Sequence, residues 1–90
     1  MEEDVVYILQ SLKEGSYYIG YTSFLILRFR EHQEGKSSHT SKHLPFLVVY
    51  LEVFSSKSQA LIMEKRIKKM KSRRYIESLI NNMNAALSSR

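Results

Sequence analysis

Apolar and β-forming residues come in three blocks along the chain, separated by polar, serine-rich stretches. Val5-Val6-Tyr7-Ile8-Leu9 and Tyr17-Tyr18-Ile19-Gly20-Tyr21 flank a polar segment ending Lys13-Glu14-Gly15-Ser16, which predicts a β-hairpin. A turn centred on Glu14-Gly15 pairs residues whose numbers sum to 29, which opposes Tyr7 to Thr22 and puts Tyr7 and Tyr18 on one face. A three-residue loop would separate them. Thr22 or Ser23 is positioned to cap a helix running to about Glu34, with Phe24, Leu25, Leu27 and Phe29 as its apolar part and Gly35 as its stop. Residues Lys36 to Pro45 have no periodicity and read as a donor-rich surface loop. Phe46 to Phe54 is the longest β-forming run and is expected to be the buried central or third strand.

Beyond that strand, Ser55-Ser56-Lys57-Ser58 offers capping hydroxyls. Gln59 to Met70 then places Ala60, Met63 and Ile67 at helical spacing. After Lys71-Ser72-Arg73-Arg74, residues Tyr75, Ile76, Leu79 and Ile80 suggest a short last helix, and residues 81–90 a polar C-terminal tail. The expected fold is α+β: a small three-stranded antiparallel sheet flanked by helices in the order β-β-α-β-α-α, as a single domain over residues 1–80.

Composition narrows the chemistry. Ninety residues suffice for one domain with a thin core. With no Cys, disulfide frameworks, thiolate zinc sites and cysteine nucleophiles are excluded. The acidic start Met1-Glu2-Glu3-Asp4 and the lack of any apolar run near the ~18 residues of a membrane span lead to the expectation of a soluble, cytoplasmic protein with no membrane partner. The formal net charge is +5, and residues 57–77 carry eight basic side chains against Glu64 and Glu77, so the positive charge is concentrated there. Nothing resembles a phosphate-cradling glycine loop, a Gly-x-Ser-x-Gly elbow or a His-Glu-x-x-His pair.

Two placements carry candidate chemistry. Arg28 and His32 sit four residues apart on one helix face, arranged either to share a ligand or to form a solvated face with contacts to Glu31 or Glu34. Glu64 falls on the stripe of Ala60, Met63 and Ile67. A carboxylate where an apolar residue belongs is either a stripe-edge residue paired with Lys68 or a group with a cationic or metal partner. A lone carboxylate can anchor Mg²⁺ when waters and phosphate oxygens complete the octahedron. His39 and His43 read as surface residues or phosphate contacts rather than metal ligands.

Val6-Tyr7-Ile8, then Tyr18-Ile19-Gly20-Tyr21-Thr22, then Arg28-Phe29-Arg30-Glu31-His32 and finally Glu64 resemble, in order and spacing, the GIY-YIG nuclease domain. The likeness covers roughly residues 5–80 and is greatest to small stand-alone bacterial members, similar to the nuclease module of the excision-repair incision subunit. It implies metal-dependent hydrolysis of DNA phosphodiesters, in repair or recombination. Tyr7 would be the general base on the attacking water and Tyr18 a neighbour of that water and of the scissile phosphate. Arg28 would stabilise the transition-state charge, His32 would assist Tyr7, and Glu64 would be the sole protein ligand of Mg²⁺ or Mn²⁺. A phenol with a pKa near 10 needs that help. Lys36, Lys42, Lys65, Lys68, Lys69, Lys71, Arg73 and Arg74 would hold the DNA backbone with low sequence specificity. Two positions depart from the family pattern: Val6 replaces the leading glycine of the first motif, and no asparagine matches the one many members place beyond the glutamate. Competing readings are a non-catalytic or partner-dependent nucleic-acid-binding module of the same fold, and an interaction domain for an acidic protein.

Overall fold

The computed structural model describes residues 3–35 and 44–88. Three strands and three helices follow one another as β1 (Asp4–Ser11), β2 (Tyr17–Thr22), α1 (Leu25–Gln33), β3 (Phe46–Phe54), α2 (Lys57–Met70) and α3 (Arg73–Ser88). All strand pairs are antiparallel and the sheet order is β2-β1-β3. The expected order and fold class are those found. The central strand is β1, whose Val5 to Leu9 are all buried. β3 is the third strand and lies at an edge, with Leu47 and Val53 half exposed.

The hairpin loop is two residues longer than a turn at Glu14-Gly15 would make it, with residues 12–15 joining the strands. Tyr7 faces Gly20 rather than Thr22, because the loop closes between Ser11 and Ser16. The Ser11 hydroxyl accepts from the backbone N–H of Lys13 and Glu14, and Gly15 takes the left-handed φ of 79° that an L side chain resists. A slip of two residues preserves the faces, so Tyr7, Leu9 and Tyr18 share one side of the sheet.

Each face of the sheet has its own core. Val6, Ile8 and Tyr50 meet Ala60 and Ile67 of α2 and Ile76 of α3 on one side. Tyr7, Leu9 and Phe46 meet Leu25 and Phe29 of α1 on the other. α1 is shorter than expected: Phe24 is its N-cap without a side-chain bond, since the Thr22 hydroxyl accepts from the Phe24 N–H before the helix begins. α2 opens at Lys57, two residues earlier than expected, with Ser56 capping the N–H of Gln59 at 3.3 Å.

Residues 81–88, expected as a tail, are helical. Ile76, Leu79, Ile80 and Met83 recur at i, i+3, i+4 and i+7 and all pack on the core, which carries α3 past the polar Asn81-Asn82 pair. Lys36, His39, Lys42 and His43 lie outside the described residues.

Candidate active site

Glycine at position 20 shapes the site. A Cβ built there would come within 2.4 Å of both Cζ and Oη of Tyr7, so the phenol of the central strand lies directly over the backbone of its neighbour β2. β2 is an edge strand. A tyrosine rooted in the middle of the sheet thereby delivers its hydroxyl toward an edge, under the cover of α1.

There it meets His32. The Tyr7 hydroxyl and His32 Nε2 are 3.0 Å apart in a buried hydrogen bond, and His32 is only 1% exposed. The imidazole is held edge-on by aromatic rings, with centroids 5.2 Å away for Tyr18, 5.9 Å for Tyr7 and 6.4 Å for Phe46. A polar ring enters such a core only with a hydrogen-bond partner, which Tyr7 supplies. Arg28 and His32 therefore do not form a common solvated face. His32 points into the core, one turn beyond an exposed Arg28 whose guanidinium is 3.8 Å from Glu31.

Electrostatics around the pair oppose charge formation in the resting site. Burial first, then the Arg28 charge, hold the imidazole below its usual value, with Glu31 acting in the opposite sense. Burial first, then Tyr18, lift the Tyr7 phenol well above its usual range. Arg28 works against that rise while Glu64 and Glu31 add to it. Phenolate character, which the sequence alone suggested His32 and nearby cations would favour, is disfavoured here because desolvation outweighs the single nearby guanidinium.

Glu64 approaches from the other side of the sheet. It sits on α2, its side chain 16% exposed, beside the buried Ala60 and Ile67, and its carboxylate is 3.2 Å from Lys68 Nζ. The pairing with Lys68 is the reading of its stripe position that the structure shows, and its charge adds to the rise of the Tyr7 and Tyr21 phenol pKa values. Among the described residues no group of three or more His, Asp or Glu could cage a metal. The donor set fits a hard cation held by one carboxylate with water and phosphate oxygens around it, and it does not fit zinc.

Tyr17 and Tyr21 face away from Tyr7 and do separate work. The Arg73 guanidinium lies 4.7 Å over the Tyr17 ring, tying the hairpin to α3, and the Tyr21 hydroxyl donates to Asp4 at 2.7 Å. Neither the Tyr21–Asp4 pair nor the space-making role of Gly20 was drawn from the sequence. A glycine flanked by β-formers, opposite a tyrosine on the neighbouring strand, is the signal that could have found the second.

Lys65, Lys68, Lys69, Lys71, Arg73 and Arg74 are all exposed, around the last turns of α2 and the start of α3. Lys68 is engaged by Glu64, and Arg73 by Glu77 at 3.3 Å as well as by Tyr17.

Residues 3–77 match the family model of the GIY-YIG catalytic domain. Over 83 residues the chain is 35% identical to a UPF0213 protein of Streptococcus pneumoniae serotype 4, covering 91% of this chain and 83% of the relative. It is 41% identical over 69 residues to the UPF0213 protein SH2523 of Staphylococcus haemolyticus, covering 76% and 83%. The solution NMR structure of the UPF0213 protein BH0048 from Bacillus halodurans matches with a TM-score of 0.58 at 38% identity, over 88% of this chain and 83% of that one. The family match embraces the strands carrying Tyr7 and Tyr18 together with Arg28, His32 and Glu64, and the chain belongs to the GIY-YIG catalytic-domain family.

Proposed function

We propose that this protein is a metal-dependent endonuclease that hydrolyses DNA phosphodiesters, in repair or recombination within the cytoplasm. The observation that carries the reading is the buried Tyr7–His32 hydrogen bond at 3.0 Å, laid over Gly20. A phenol of raised pKa cannot serve as a base by sitting ionised in advance. It can pass a proton on. With the His32 proton on Nδ1, Nε2 accepts the Tyr7 proton while Tyr7 Oη takes one from the attacking water, and the hydroxide adds to phosphorus as the 3′ oxygen departs. The depressed pKa of His32 keeps Nε2 available as that acceptor at neutral pH.

The other residues divide the remaining tasks. Tyr18, on the same face as Tyr7 and packed edge-on to His32, orients the water and the phosphate. Arg28, exposed next to the pair, donates to the phosphate oxygens where charge develops, in exchange for its long contact with Glu31. Glu64 would hold Mg²⁺ or Mn²⁺, and such an ion supplies Lewis-acid polarisation of the phosphate and stabilises the leaving oxygen. The exposed Lys65, Lys69, Lys71 and Arg74 offer the DNA backbone a sequence-independent grip, with Lys68 and Arg73 partly committed to acidic neighbours.

One observation favours a second reading, a binding module of the same fold that cuts poorly unless a partner assists: Lys68 already occupies the Glu64 carboxylate. Supercoiled, linear, branched and single-stranded DNA incubated with Mg²⁺ or Mn²⁺ separates the two. Cutting by the wild type that is lost in Glu64→Ala and Tyr7→Phe supports the nuclease. Salt-sensitive binding without cutting supports the module, and no DNA binding at all refutes both.

A further inference from the structure

The two faces of the sheet are unequally covered. α2 and α3 together close one side, while α1, with nine residues, is the helix that packs on the other. A nine-residue helix spans about 14 Å and a nine-residue strand about 30 Å, so α1 is too short to roof β3 along its length. Gln33 fastens the C-terminal end of α1 to the start of β3: its side-chain amide donates to the Phe46 carbonyl at 3.2 Å and accepts from the Phe46 N–H at 3.1 Å. Toward the N-terminal end of the helix lies a groove of about 460 Å³, floored by Val5, Leu51 and Val53 and walled by Phe24, Ile26 and Leu27.

This groove is apolar and open. Ile26 is 74% exposed, Leu27 53%, and Phe24 and Val53 50% each. Together they present roughly 400 Å² of apolar surface in one place, which in a soluble protein marks an interaction site more often than chance. β3, an edge strand, adds to the need for a cover. Such strands are usually guarded by lysine, proline or a bulge. β3 has a register shift at Val49, between the Ile8–Tyr50 and Leu9–Val48 pairs, but its one charge is Glu52, and among the described residues the Gln33 amide binds its backbone at Phe46, away from the groove.

Two features choose the occupant. The patch contains both a projection, Ile26, and a recess, the floor of Val5, Leu51 and Val53, so it can fill itself. Its lining also carries one acid, Glu3, and one base, Arg30. In an isologous contact every pairing occurs twice, so one acid and one base on the same patch can answer each other across a twofold axis without leaving a like charge opposed. A polyanion would be repelled by Glu3 and would find the basic cluster on α2 and α3 instead.

We infer that the α1–β3 groove is a self-association surface, with Ile26 of each copy seated in the groove of the other and Glu3 paired with Arg30 across the axis. The contact is small, about 800 Å² from two such patches, below the size of a standard stable interface, so the dimer is weak and reversible. The inference stands apart from the nuclease reading, since none of these side chains belongs to the proposed catalytic set.

Sedimentation velocity on the full chain, from low micromolar to millimolar protein at physiological salt, tests it. The wild type should move from monomer to dimer across that range, and Ile26→Asp should weaken association about 10-fold or more. Because Ile26 is exposed, the thermal midpoint of that variant at low concentration should equal the wild type's. Glu3→Arg and Arg30→Glu should each weaken the dimer and their combination restore it. A wild type that stays a 10.6 kDa monomer at millimolar concentration overturns the inference and leaves the groove to a different chain. An Ile26→Asp protein that associates like the wild type, or a charge swap that fails to restore association, overturns it as well.

Discussion

Replacing Gly20 with alanine tests the geometry of the site with one methyl group. The backbone at Gly20 is not in the left-handed region, so alanine fits the strand and should gain up to about 1 kcal/mol from reduced freedom of the unfolded chain. Against this, the new Cβ would stand 2.4 Å from Cζ and Oη of Tyr7 and 2.9 Å from Cε1. Carbon contacts settle near 3.5 Å, so the ring must recede by about 1 Å. Neither neighbour yields easily: Tyr7 is buried under α1, and its hydroxyl is bonded to His32 at 3.0 Å. Overpacking costs about 1–3 kcal/mol and the stretched buried hydrogen bond about 1 more, so strain wins and the net loss is about 1–3 kcal/mol. For a domain of this size that lowers the thermal midpoint by roughly 5–20 °C. Circular-dichroism melts of a double-mutant cycle isolate the cause. Gly20→Ala should be costly in the wild-type background and neutral or stabilising beside Tyr7→Ala, where the ring is gone. An equal penalty in both backgrounds, or none in the wild type, would refute the steric account. On the nuclease reading, the same 1 Å displacement should cut the cleavage rate about 100-fold.

Other expectations follow from the same site. The depressed pKa of His32 means that the unfolded chain takes up a proton more readily than the native state, so this contribution to stability is complete above about pH 6.5 and is lost as pH falls below it. Urea midpoints measured between pH 7.5 and pH 5 should decline in the wild type and decline less in His32→Asn. Glu64→Gln should abolish metal-dependent cleavage, at least 100-fold, while changing stability by less than about 0.5 kcal/mol, because its ion pair is with a largely exposed lysine. A melt that falls by several degrees in Glu64→Gln would mean the carboxylate is structural. Removing Lys69 or Arg74 should lower DNA affinity equally for all sequences and reduce the slope of log K against log salt by about 1 each, read by fluorescence anisotropy across a salt series.

The sequence carried the strand boundaries of β3, the order of elements and the shared face of Tyr7 and Tyr18 because each depends on local pattern or on parity alone. A register error of two residues cost nothing, since strand faces repeat every two. What escaped was anything settled by a contact between distant positions. The local pattern shows Gly20 only as a member of a β-forming run, whereas the structure lays Tyr7 over it, and nothing local signals that the Gln33 amide binds Phe46 at the start of β3. The length of α3 was underread for a different reason. Asn81 and Asn82 suggest fraying, but Met83 sits one turn further along the same apolar face and its burial overrides that local preference. The fate of His32 depended on burial, which spacing on a helix does not fix. Of the two arrangements open to Arg28 and His32, a solvated face describes only the arginine.

Tyr7 occupies the central strand between Val6 and Ile8, which fill the opposite core, and is itself buried. It is held in place by the requirements of folding whether or not the protein ever cuts DNA. Arg28 and Glu64 stand at the rim and hold up little. A descendant relieved of its chemistry would therefore shed the arginine and the glutamate first and keep its tyrosine and glycine as masonry. In surveys of such small proteins, the letters that spell the motif would outlive the enzyme, and the carboxylate on the second helix would be the better witness to whether it still works.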